Sequence, residues 1–192
     1  MKKTTIALAA LFCVSATARA ESTRRSTRIE PPTAQQKFLV GVDGDFGLPL
    51  GNYSDVNGVG GGLMLTGEYP MMPELSLIAR VGFQYHSDKD LGLGVSAHVH
   101  SIPFLFGARY YFMPERQGLF GAAELGLFDL IAGASSGAQT ASDSQVKLGV
   151  GVGVGYQMKQ WNARVNLHSQ SVGSFGDSMM VTAGVGYQFA GF

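Results

Sequence analysis

Histidines, serines, carboxylates and guanidinium groups are the side chains with which this chain could do chemistry. The segment LHSQS, Leu167 to Ser171, sets His168 beside two hydroxyls. A serine nucleophile needs its base within hydrogen-bond reach, and on a strand only positions i and i+2 share a face. The residue two places after His168 is Gln170, Ser169 points the other way, and Ser171 is out of phase. His168 is therefore read as a polar strand histidine, and catalysis is not expected. His86, His98 and His100 form a second candidate set, with His98 and His100 on one face and His86 roughly opposite. Three imidazoles can hold zinc or copper at about 2.0–2.1 Å. No carboxylate or thiolate is committed to them, so neither a metal nor another cofactor is expected. The paired glycines lie inside strands and open no helix, so they form no phosphate loop.

The remaining chemistry is charge: Asp43, Asp45, Glu68 and Glu124 against Arg80, Arg109, Lys147 and Arg164. The elements that carry them alternate with a period of two, which is a strand and not a helix. In VKLGVGVGVGYQ, Val146 to Gln157, the valines, Leu148 and Tyr156 occupy one parity, and Lys147 and four glycines the other. Eight such strands are expected, over about 37–47, 58–69, 74–86, 95–112, 119–131, 146–157, 161–171 and 179–189. The fourth changes parity: His98 and His100 sit on the polar row before Pro103, and Arg109 does after it. A proline in a strand marks an edge or a bulge, and a one-residue bulge flips the alternation, so a bulge is expected near Pro103. The connectors alternate between short turns (70–73, 113–118, 158–160) and generally longer loops (48–57, 87–94, 132–143, 172–178). The loop AGASSGAQTASD reads as a small solvated flap.

The chain opens with Lys2 and Lys3, an apolar run from Ile6 to Val14, and Ala18-Arg19-Ala20. This pattern predicts a secretory signal over 1–20, cleaved after Ala20. Its apolar run is too short to cross a bilayer as a helix. Residues 21–36 read as a flexible periplasmic leader, with the barrel over 37–192. The single cysteine, Cys13, lies in the signal, so the mature chain has no thiol chemistry. Removing Lys2, Lys3 and Arg19 from 14 basic residues leaves 11 against 14 acidic ones, about −3 in charge, which argues against nucleic acid as a partner.

Alternation does not say which face points out. A lipocalin-like barrel turns its apolar face inward around a ligand, and a membrane barrel turns it toward lipid. Strand length favours lipid, since each segment is about what a tilted strand needs to cross a bilayer. So does the clustering of Phe38, Tyr69, Tyr110, Tyr156, Trp161, Tyr187 and Phe189 at the short-turn end, as an interfacial girdle. The charges agree, because a basic side chain facing mid-bilayer lipid costs roughly 2–4 kcal/mol, whereas inside a narrow barrel it can pair. The inward glycines of the sixth strand are expected to make room for long Arg, Lys and Glu side chains. The expected fold is an all-β, eight-stranded antiparallel transmembrane up-and-down β-barrel with a filled, charge-paired lumen.

The C-terminal stretch VTAGVGYQF resembles the last strand of bacterial outer-membrane proteins: Val181, Ala183, Val185, Tyr187 and Phe189 alternate toward a final aromatic. The resemblance implies that this strand is the address read by the barrel-assembly machinery. Phe189 is taken as the terminal aromatic, with Phe192 the alternative if Gln188 and Ala190 occupy apolar slots. SIPFLFGARYYF and GLFGAAELGLFDL look like the central hairpin of the small OmpA/OmpX-like β-barrel family, a likeness covering nearly all of 37–192. It implies a bacterial outer-membrane location, a plugged lumen, outer-membrane lipid and lipopolysaccharide as surroundings, and a monomer. Peptidoglycan anchoring, which in that family needs a further periplasmic domain, is not expected. LHSQS is similar to the His-x-Ser pair of lipid A deacylases but lacks its phase. Three functions stay open on these residues: a structural or surface-interaction barrel without catalysis, a narrow channel for small or hydrophobic solutes, and a lipid A-modifying enzyme.

Overall fold

The structure is a computed structural model that describes residues 38–92, 94–113, 116–136 and 139–191. The expected signal (1–20), the leader (21–36) and Phe192 lie outside the described residues. Among the described residues nine strands follow one another: β1 (Leu39–Pro49), β2 (Gly60–Pro70), β3 (Leu75–His86), β4 (Lys89–Gly92), β5 (Val95–Tyr111), β6 (Gly118–Ser136), β7 (Gln139–Met158), β8 (Trp161–Ser169) and β9 (Met179–Gly191). Eight of them close a ring in the order β1-β2-β3-β5-β6-β7-β8-β9, every neighbour antiparallel. The chain is thus the expected all-β, eight-stranded up-and-down barrel, with short β4 added beside β5 in the β3–β5 loop.

The alternating rows fall out as period two requires. Along β1, Gly41, Asp43, Asp45 and Gly47 are buried while Val42, Gly44, Phe46 and Leu48 are exposed. Leu63 is 67% exposed, Phe106 64% and Val154 63%, although all are large apolar side chains. Arg80, Arg109 and Arg164 are buried. Burial of charge and exposure of aliphatic carbon together invert a water-soluble protein, so lipid is the solvent of the outer face. The seven girdle aromatics share the outward row at the short-turn end, where Trp161 and Tyr187 pack with ring centroids 4.8 Å apart.

Three expectations about the strands are corrected. There is no bulge at Pro103. Both ladders of β5 keep one register across it, and β3–β5 only skips the positions opposite Ile102 and Pro103, where the missing N–H falls. The bulge is instead at the end of β9, where Gly41 faces Gln188 but Val40 faces Ala190, leaving Phe189 as the extra residue. Without a parity flip, His98 and His100 belong to the same outward row as Phe104 and Phe106. Finally, most of the region expected as a flap is strand. β6 and β7 remain paired from Gly118–Gln157 out to Ser136–Gln139, forming a ribbon at the long-loop end. β8 meets β7 only from Val150 to Met158, so the ribbon outruns the barrel wall on that side.

Two short helices occupy loops at the same end: α1 (Tyr53–Val56) and a 3-10 segment over Val172–Ser178. Tyr53 is buried, and its hydroxyl donates to Gln170 Oε1 at 2.9 Å, tying the first long loop to the end of β8.

Candidate functional site

The concave feature of this fold is the lumen, which side chains fill in successive layers. Nearest the short turns, Arg109 Nη1 donates to Glu68 Oε2 at 2.9 Å, Tyr111 donates to Glu68 Oε1 at 2.9 Å, and Gln188 Nε2 donates to Glu68 Oε2 at 3.0 Å. The Arg109 guanidinium also lies 4.4 Å from the Phe120 ring centroid, a cation–π contact. Both Glu68 oxygens are thereby satisfied without water.

The second layer is centred on Arg80. Its Nη2 donates to Asp45 Oδ2 at 2.8 Å, its Nη1 lies 3.1 Å from both Glu124 oxygens, and its Nε is 3.6 Å from Asp43 Oδ2. Arg164 enters from the opposite wall, its Nη2 2.9 Å from Asp43 Oδ2 and 3.2 Å from Asp45 Oδ1. Thr66 donates its hydroxyl to Asp43. Planar guanidinium groups suit this task, because each presents several donors in a fixed fork. Seven of the eight expected lumen charges are thus gathered into two groups: Asp43, Asp45, Arg80, Glu124 and Arg164 in one, Glu68 and Arg109 in the other. Lys147 is not among them. It is half-buried opposite Phe128 on β6 and forms no ion pair among the described residues. The larger group therefore holds three carboxylates against two guanidiniums.

Glycines clear the space, though not as expected. A Cβ on Gly184 would overlap the Asp45 carboxylate, and one on Gly186 the Asp43 carboxylate, so the β9 glycines admit the charges. The β7 glycines admit neutral groups instead: Gly149 faces Phe128, Gly151 faces His168, Gly153 faces Asn166 and Gly155 faces Phe120. Apolar residues also lie inside. Met64, Leu105 and Phe128 pack as a small core within the lumen, against which Leu130 rests. Their signal in the sequence is a large apolar residue on the polar parity, which reads as noise until the lumen is seen to be packed.

The histidine candidates separate. His86 is in the lumen, whereas His98 and His100 lie on the outer face, stacked on each other at 4.3 Å, with His100 stacked on Tyr85 at 4.7 Å. His98 Nδ1 lies 2.7 Å from Asp88 Oδ1. The three candidate imidazoles do not converge: the barrel wall runs between them, and among the described residues no three His, Cys, Asp or Glu side chains gather as a metal ligand set. His168 is buried, with Nε2 3.2 Å from Thr182 Oγ1. Ser169 is held by its own loop, donating to Ser171 and Phe175 carbonyls at 3.1 Å, and is not bonded to His168. No nucleophile–base pair is assembled there.

Residues 5–189 match the family described as "Outer membrane protein beta-barrel domain". Among solved structures, the chain is similar to Ail, the attachment invasion locus protein of Yersinia pestis, at 15% identity and a TM-score of 0.54, covering 80% of this chain and 97% of that one. It is also similar to the N-terminal β-barrel domain of Pseudomonas aeruginosa OprF, at 18% identity and a TM-score of 0.52, covering 79% and 97%. These likenesses share the fold. No curated protein matches the chain.

Proposed function

The chain belongs to the outer membrane β-barrel domain family, and from that premise we propose that it is a non-enzymatic envelope protein with a closed lumen, acting through its outer surfaces. The observation that carries this reading is Arg80, buried at mid-lumen and bridging carboxylates from β1 and β6. A conducting path would have to break that junction, and desolvated ion pairs are costly to break singly. The β6–β7 ribbon supports a surface role, since it carries Ser, Thr, Gln and Asp beyond the apolar band.

In this reading the secretory signal is cleaved after Ala20, and the outward row Val181, Ala183, Val185, Tyr187 and Phe189 is presented to the barrel-assembly machinery. The mature barrel then sits as a monomer among outer-membrane lipid and lipopolysaccharide. Planar-bilayer recording with the refolded chain tests it. The expected trace has no discrete conductance steps; steps that vanish on boiling the sample would establish a channel instead. Acyl chains of lipid A are expected to be the same in cells making the native protein and His168→Ala, and a difference would establish the enzyme.

A further inference from the structure

The long-loop end of the lumen holds a pairing that the charge plug does not use. His86, the last residue of β3, crosses the lumen toward β9, where its Nε2 lies 3.2 Å from the sulfur of Met180. Both residues are closed off from solvent, His86 at 1% exposed and Met180 at 0%. Two glycines make the crossing possible. A Cβ on Gly60 of β2 would overlap the His86 ring, and a Cβ on Gly47 of β1 would press on both the Met180 sulfur, at 3.0 Å, and His86 Nε2, at 3.6 Å. The nitrogen and the sulfur therefore meet above a floor kept bare.

Several further features converge on this end. His168 is the register partner of Met180 on β8. His168 Nδ1 is a buried ring nitrogen with no hydrogen-bond partner among the described residues. A ring nitrogen in that state can take an ion or an ordered water as its partner. Tyr53 closes the roof, its ring 6.1 Å from the His86 ring and edge-on to it. On β1, Asp45 sits two residues before Gly47 on the same inward row, so the cluster with one carboxylate in excess lies next along the lumen. That surplus favours a cation.

We propose that His86 Nε2 and Met180 Sδ form a binding site for a soft monovalent cation of the Cu(I) class beneath Tyr53. Thioether sulfur selects Cu(I), imidazole nitrogen suits copper, and hard dications prefer oxygen ligands that are not bonded here. With bonds of about 2.0 Å to nitrogen and 2.3 Å to sulfur, atoms sharing one ion lie no further apart than about 4.3 Å. The observed 3.2 Å falls inside that span and puts the two ligands at roughly a right angle, leaving further positions open. The ion binds as Cu(I), and the site performs no redox step.

The test is anaerobic titration of the refolded full chain in detergent micelles with Cu(I), in competition with a chromophoric Cu(I) chelator. A Cys13→Ser background removes the chain's single thiol. One equivalent is expected to bind. Met180→Leu, which conserves volume and removes the sulfur, and His86→Gln should each weaken binding at least tenfold while still showing the mobility shift of a folded barrel on unboiled gels. Met179→Leu, one residue away on the outward row, should bind as the parent does. No uptake by the parent chain, or equal affinity after Met180→Leu, would overturn the site. If His86→Gln fails to fold, Met180→Leu alone decides the matter.

Discussion

Arg164 of β8 bonds Asp45 of β1 at 3.2 Å, although 119 residues separate them. The contact spans the lumen near the seam where the last strand returns to the first. Each end of the chain thus contributes one partner to the charge cluster that fills the barrel. Closing the ring therefore also brings together charges that fill its interior.

Arg80 is the residue on which the cluster turns. Truncating one partner of a buried ion pair leaves the other charge uncompensated, at a cost of about 3–5 kcal/mol. Arg80→Ala is expected to lower the urea midpoint of the refolded barrel by a corresponding amount. Arg80→Lys should recover only part of it, because one ammonium cannot present the guanidinium's planar fork to Asp45 and Glu124 together. Urea titrations of the three proteins in the same lipid settle this, and full recovery by lysine would contradict it.

Glycine positions that look equivalent in sequence should differ sharply. Gly186→Ala places a Cβ against the Asp43 carboxylate and the Asn162 amide, and is expected to block refolding or lower stability by several kcal/mol. Gly44→Ala on β1 places its Cβ outward, 3.9 Å from a Leu63 methyl, and should change stability by less than about 1 kcal/mol. The yield of the fast-migrating folded form, measured side by side, distinguishes them.

The outer face should reject charge according to depth. Val154→Arg, paired with Val165 at the middle of β8, is expected to cost roughly 2–4 kcal/mol in a bilayer, whereas Val146→Arg, toward the ribbon, should cost roughly 0–1 kcal/mol. Equilibrium unfolding in vesicles checks the gradient; equal penalties at both sites would mean that the apolar band is misplaced.

Tyr53 supplies a pH test outside the membrane-spanning segments. Burial pushes its hydroxyl above the ordinary value of 10.0. The unfolded chain therefore ionises Tyr53 at lower pH than the folded one, so the stability this tyrosine contributes is present below pH 10 and lost as pH rises beyond it. Tyr53→Phe should flatten the alkaline fall in stability by the share of one phenol, read from urea midpoints between pH 9 and pH 11. An unchanged slope would mean that the Tyr53 ring is not closed off under α1.

The sequence by itself determined the strands, their two rows and the solvent of each row. Alternation is a local property of successive residues, and a charge facing lipid costs enough to decide which row turns inward. It also marked eight lumen charges, of which seven pair among the described residues and Lys147 does not. What only the tertiary structure decided is who meets whom. Pairing depends on register around a closed ring, which brings Arg164 to Asp45 and His86 to Met180 with no trace in their neighbours. The inward apolar groups Phe128, Met64 and Leu105 were invisible for the same reason: their partners are glycines and side chains on distant strands. Pro103 shows the limit most clearly. Polarity alone sets the expected parity there, and two histidines stacked on the outer face imitate an inward row, whereas the ladder on both sides of the proline never slips.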